Sequence, residues 1–278
     1  MNILPPLEPN CVRLYLCRHG QTYANAKRIV QGAGINSSLT PLGKTQAQFL
    51  ADAFTCARVQ LGSIVTSHLL RATQTAQPLG TDHCIPSQSN PELREMEYGD
   101  LEGLDITMTT NQNKLRHLWQ EWRKDLAIKS GQTGESMAHL IDRAANTLHD
   151  IVLESKTLSS PHIAVISHSM FLRAALAKLS LEHTSALNAM NVMNRMDQIQ
   201  LANSSITVVD FATSIHEPRR PPKILLINCT DHVPSHTTTT TTTIGMNKTT
   251  SKDVSFRRRL EQLQRHLSRG TQRKNERS

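Results

Sequence analysis

Between residues 11 and 232, short apolar runs of strand length alternate with longer stretches in which apolar positions recur every three or four residues. That alternation is the mark of an α/β domain. The runs predict strands over 12–17, 63–66, 163–167, 205–211 and 223–228. Between them, Thr40 as N-cap and Pro41 at the first helical position predict a helix over about 43–58. A second helix is expected over 71–79, closing near Pro78, and a third over 113–129. The strongest helical pattern spans 135–155, where Met137, Leu140, Ile141, Ala144, Leu148, Ile151 and Val152 share one face. A further helix follows His168.

Composition narrows the class. With 278 residues, 38% hydrophobic and 19% charged, the chain can build a sizeable core, which excludes wholesale disorder and a stapled miniature scaffold. No apolar run nears the roughly 18 residues of a membrane span. Residues 1–10 carry Pro5 and Pro6 and do not read as a secretory signal, so a cytoplasmic location is expected. Cys11, Cys17, Cys56, Cys84 and Cys229 form an odd, scattered set with no paired spacing, read as buried thiols with no disulfide-linked partner and no structural zinc.

The net charge of +8 suggests nucleic acid until it is divided by position. From residue 237 onward there are ten Lys and Arg against three Asp and Glu, leaving twenty-one against twenty before it. The basicity therefore belongs to a tail that opens with threonines at 237–243. Within it, Phe256, Leu260, Leu263 and Leu267 are spaced as one face of a basic amphipathic helix, although a solvated segment of marginal helicity is the favoured reading. The expected organisation is an extension over 1–10, one domain over 11–233 and a low-complexity basic tail over 234–278, with weak affinity for anionic membrane or polyanion.

Three predicted strands end in cationic or imidazole side chains. The first delivers Arg18-His19-Gly20, the second leads through Ser67 and His68 to Arg71, and the third runs directly into His168. In parallel α/β sheets, ligands bind beyond the carboxyl ends of the strands. Arginine presents a permanently charged fork that matches phosphate oxygens, and a neutral imidazole beside it can act as nucleophile. Zinc is the weaker reading of His19 and His168, because adjacent arginines would repel a cation.

The motifs then fall in an ordered series. It comprises Arg18 to Asn25 (RHGQTxxN), Gln31-Gly32, Leu39 to Gly43 (LTxxG), Ser67 to Ala76, Leu93 to Gly103 (LREMEYGDLEG), Gly134 to Ser136, the ISHSMFLRAAL segment around His168, and NSSITVVDF. This series resembles the histidine phosphatase superfamily, which includes cofactor-dependent phosphoglycerate mutases, fructose-2,6-bisphosphatase domains and broad phosphomonoesterases. The resemblance implies a three-layer phosphoglycerate mutase-like sandwich with a mostly parallel central sheet. It implies that His19 is the nucleophile, that Arg18, Arg71 and His168 surround the transferred phosphoryl group, and that Glu95 is the general acid. Asn25 matches a residue that touches the phosphate, Gln31 is expected as a further substrate contact, and the backbone amide of Ser169, at the start of the helix after His168, is expected as an extra donor, with no metal and no organic cofactor.

Glu92, Glu97 and Glu102 lie near Glu95 as rival acids, and Glu135 reads as charging the first turn of its helix. His68 reads as structural. The sequence departs from the family at Asn36-Ser37-Ser38, where Asp-x-Pro is usual, and at Leu101, where Trp is usual. The expected function is hydrolysis of phosphate monoesters on small phosphorylated substrates through a phosphohistidine. The alternatives are mutase-type phosphoryl transfer and a catalytically weak binding protein tethered by its tail.

Overall fold

The computed structural model describes residues 4–181, 187–213 and 220–234, so the threonine run and the basic tail lie outside the described residues. The described part is a three-layer α/β sandwich. Its strands are β1 (Cys11–Arg18), β2 (Ser63–Thr66), β3 (Gln88–Ser89), β4 (His162–Ser167), β5 (Ile206–Ala212) and β6 (Lys223–Cys229). Its helices are α1 (Tyr23–Ala26), α2 (Pro41–Cys56), α3 (Leu70–His83), α4 (Thr109–Lys124), α5 (Met137–Glu154), α6 (Ser169–Leu181) and α7 (Ala189–Gln198). The strands form one sheet in the order β3-β2-β4-β1-β5-β6. β5 runs antiparallel to both neighbours, and the other pairings are parallel, so five strands point one way.

Alternation along the central strands divides the core. Val12, Leu14 and Leu16 of β1, with Ile163 and Val165 of β4, pack on the face covered by α5 and α6. Tyr15 and Cys17, with Ala164 and Ile166, pack on the face covered by α2 and α3. Side chains of period two on strands flanked by helices on both faces leave no polar side, which is why these strands read as apolar runs, interrupted in β1 by Arg13, which is buried against Asp210 of β5. All seven residues of the predicted apolar face of α5 are buried. Among the described residues no helix is long and apolar enough to cross a membrane.

The predicted strands are all present within a residue of their expected ends, and Thr40 caps α2 by accepting from the Gly43 amide. Of the five cysteines expected to be buried, Cys56 and Cys84 are exposed. Other differences arise where packing outweighs local signals. α3 continues past Pro78 to His83 and closes at Cys84 in the left-handed conformation (φ 54°). Proline removes one helical donor, but Ala76 and Leu79 are buried against α2, and that burial carries the helix through. α4 starts and ends earlier than its periodicity suggests, because the Asp125 side chain accepts from the Ala127 amide at 2.8 Å and turns the chain. β3 is two exposed residues, too short to leave a hydrophobic period, and α7, whose Val192, Met193 and Met196 are buried on one face, is a helix that the sequence reading did not place.

Candidate active site

β1 and β4 are parallel neighbours with Arg18 opposite Ser167. The next residue on each is a histidine, so strand register alone brings His19 and His168 together, with ring centroids 5.2 Å apart. The turn after His19 admits little bulk: a Cβ on Gly20 would lie 2.5 Å from the Gly43 carbonyl oxygen, and one on Gly43 would lie 2.0 Å from that of Gln21. The RHG and LTxxG motifs are thus two sides of one backbone contact.

Hydrogen bonding sets the tautomer of both rings. His19 Nδ1 lies 2.7 Å from the Gly20 carbonyl oxygen, which can only accept, so Nδ1 carries the proton and Nε2 presents its lone pair. His168 Nδ1 lies 3.1 Å from Arg71 Nε, which can only donate. The neutral His168 ring therefore carries its proton on Nε2, a buried atom with no hydrogen-bond partner among the described residues. Burial, reinforced by the charges of Arg71 and Arg18, holds both imidazoles well below the usual histidine pKa of 6.5. One ring offers a lone pair and the other an unpaired N–H.

Arg71 is fully buried in the first turn of α3. Besides His168, it donates to the Ile35 carbonyl at 3.0 Å and the Gly32 carbonyl at 2.8 Å. Asn36 adds a second tie to the same helix end, accepting from the Leu70 amide at 2.7 Å, and so supplies the cap that the N-cap residue Leu69 lacks. Arg18 donates to the Leu201 carbonyl at 2.6 Å, while its Nε is buried without a partner. Burial lowers each arginine to about 10, still charged at neutral pH.

Glu95 is buried to 8% exposure in the loop before α4. Its Oε1 accepts from the amides of Met96, Met170 and Phe171 at 3.0, 3.1 and 3.0 Å. The carboxylate is thus seated on the N-terminus of α6, the helix that starts directly after His168. Of the rival acids, Glu102 lies against Gly32, whose carbonyl Arg71 binds, and the other two face away from the imidazoles. Glu92 and Glu97 pair with Arg94, and Glu102 accepts from the Tyr98 amide. His68 is exposed.

The remaining expected contacts differ in placement. Asn25 Oδ1 accepts from the Thr22 amide, and Gln31 Oε1 from the Thr22 hydroxyl at 2.8 Å, so both brace the turn following His19. Ser169 opens α6 beside the amides that carry Glu95. Three residues received no site role in the sequence reading. Asn203 donates to the His19 carbonyl at 3.1 Å. Arg143 contacts the Glu95 backbone, and Arg173, which feels the Glu95 charge, donates to the Met196 carbonyl with its guanidinium 5.1 Å from the Trp119 ring. Asn203 sits in a recognised motif, whereas Arg143 is hidden on the amphipathic α5.

Two neutral imidazoles, two charged guanidinium groups and a carboxylate on one edge of an α/β sheet define a phosphoryl-transfer enzyme of the histidine type. A family model for the histidine phosphatase superfamily (branch 1) matches residues 14–217, and the chain belongs to that superfamily. A broad-specificity phosphatase of Saccharomyces cerevisiae is 27% identical over 210 residues, covering 73% of this chain and 80% of its own. A probable phosphoglycerate mutase, GpmB, of Yersinia pestis is 31% identical over 210 residues, covering 73% and 86%. Among solved structures, a mycobacterial glucosyl-3-phosphoglycerate phosphatase with inorganic phosphate superposes with a TM-score of 0.61 at 27% identity, covering 80% of this chain and 99% of that one.

Proposed function

We propose that the chain hydrolyses phosphate monoesters in two steps through a phosphohistidine on His19. The observation that carries this reading is the pair of opposed tautomers, a lone pair on His19 Nε2 beside a buried, unpartnered N–H on His168 Nε2. In the first step His19 Nε2 attacks phosphorus and the bond to the ester oxygen breaks. Glu95 in its acid form gives that oxygen a proton, so an alcohol leaves. In the second step water attacks the phosphohistidine, Glu95 takes its proton, and inorganic phosphate is released with His19 restored. Arg18, Arg71 and His168 stabilise the charge on the equatorial oxygens throughout, the task that metal ions perform in other phosphoryl-transfer sites.

The substrate class proposed is a small phosphorylated metabolite, supported by relatives named for phosphatase activity on broad substrates and on glucosyl-3-phosphoglycerate. Mutase transfer is the second reading, favoured by the GpmB relatives. The two separate on the fate of the phosphoryl group: incubation with 3-phosphoglycerate releases inorganic phosphate in one case and accumulates the 2-isomer in the other. The mechanism itself is tested by rapid acid-free quenching with labelled substrate. Wild type should retain label that is lost in acid and stable in base, and His19→Ala should retain none and lose several orders of magnitude in turnover. Label on His19→Ala, or a tenth of wild-type activity, would assign the nucleophile elsewhere.

A further inference from the structure

The buried ion pair Glu135–Arg143 contacts the backbone of the Glu95 loop from both sides of the acid. Arg143 Nη1 donates to the carbonyls of Glu92 at 2.7 Å and Arg94 at 3.0 Å, and its Nη2 to that of Glu95 at 3.5 Å. Glu135 Oε1 accepts from Arg143 Nη2 at 2.6 Å and from the Glu97 amide at 3.0 Å, while the Glu97 carbonyl accepts from the Glu135 amide at 2.9 Å. Both side chains are 3% exposed. Arg143 also stands 5.5 Å from the centroid of Phe171, whose amide donates to the Glu95 carboxylate.

An apolar pair of similar volume could hold α5 to the sheet, and burying two charges is costly. No apolar pair could donate to three carbonyls and accept the Glu97 N–H. The contacts run to residues 92, 94, 95 and 97, that is, to the turn that aims one carboxylate.

We propose that Glu135 and Arg143 are positioning residues whose function is to hold Glu95 at the ester oxygen of the substrate. The inference rests on Glu95 as general acid. Displacement of a catalytic group by about 1 Å can lower a rate roughly 100-fold. The effect falls on substrates whose leaving group needs a proton.

The experiment measures kcat/KM, which reports the phosphorylation step, for glycerol phosphate and p-nitrophenyl phosphate with Glu95→Gln, Arg143→Lys, Glu135→Gln and the double variant Glu95→Gln/Arg143→Lys. Arg143→Lys should lose about tenfold or more on the alkyl ester and less than about threefold on the aryl ester. Glu135→Gln should show the same contrast, and it carries the test if Arg143→Lys no longer melts cooperatively. The double variant should match Glu95→Gln alone within about twofold, because Arg143 acts only through the acid. Equal losses of Arg143→Lys or Glu135→Gln on both esters, or additive losses in the double variant, would overturn the positioning role while leaving Glu95 as acid. If Glu95→Gln itself loses equally on both esters, the acid assignment falls and the positioning role with it.

Discussion

Because His19 and His168 are buried among arginines with pKa values well below 6.5, folding should become steeply dependent on pH just under neutrality. In the unfolded chain both rings return to about 6.5. Between that value and the folded one, only the unfolded chain takes up protons, so stability falls as pH falls through 6.5. From pH 7.5 to 5.5 an unfolded imidazole passes from about one-tenth to about nine-tenths protonated, and each ring held neutral in the fold removes about 1.4 kcal/mol. The two together remove roughly 3 kcal/mol. Unfolded carboxylates titrate near 4 and contribute little over this interval. The assay is urea unfolding of wild type and His19→Gln at the two pH values, taking the difference within each protein. His19→Gln should lose about 1.4 kcal/mol less across the interval than wild type, equivalent to a smaller fall in Tm of about 3–6 °C. Equal losses would mean that His19 titrates normally in the fold, and the case for a neutral nucleophile at pH 7 would fail.

A chelator should leave hydrolysis unchanged, since the positive charge around the phosphoryl group comes from Arg18, Arg71 and His168, and no group of three or more His, Cys, Asp or Glu is placed to hold a metal among the described residues. Activity lost to EDTA and restored by a divalent ion would refute the charge assignment. Ending the chain after Pro234 should keep kcat/KM on a small ester within about twofold, because β6 ends at Cys229 and every motif residue precedes it. The same truncation should abolish low-salt binding to anionic vesicles, because it removes the segment with ten Lys and Arg against three Asp and Glu. A truncated protein that still binds would place the contact in the domain.

The layers of the fold and the ends of its central strands were readable before any coordinates, because burial on both faces of a sheet writes each strand as an apolar run. Thr40-Pro41 announced α2, and the spacing of Met137 to Val152 announced α5, since caps and helical periods are local signals. The positions of Arg18, His19 and His168 were legible for the same reason, since each lies at or just beyond a strand end, and Arg71 opens the helix that follows β2. β3, two exposed residues, and the continuation of α3 past Pro78 emerged only from packing, whereas α7 was not placed although its Val192, Met193 and Met196 are spaced as one helical face. The protonation of the two histidines was also beyond the sequence. It depends on the turn that brings the Gly20 carbonyl onto Nδ1 of its neighbour His19, and on Arg71 reaching Nδ1 of His168 across 97 residues of chain. The same holds for Glu135, which reads as charging a helix start but precedes the Ser136 N-cap of α5, and for Arg143, to which the sequence assigns no role. Only the closing of α5 onto the Glu95 loop turned a solvated pair of charges into a buried clamp, because a long-range contact leaves no periodic trace in the residues that make it.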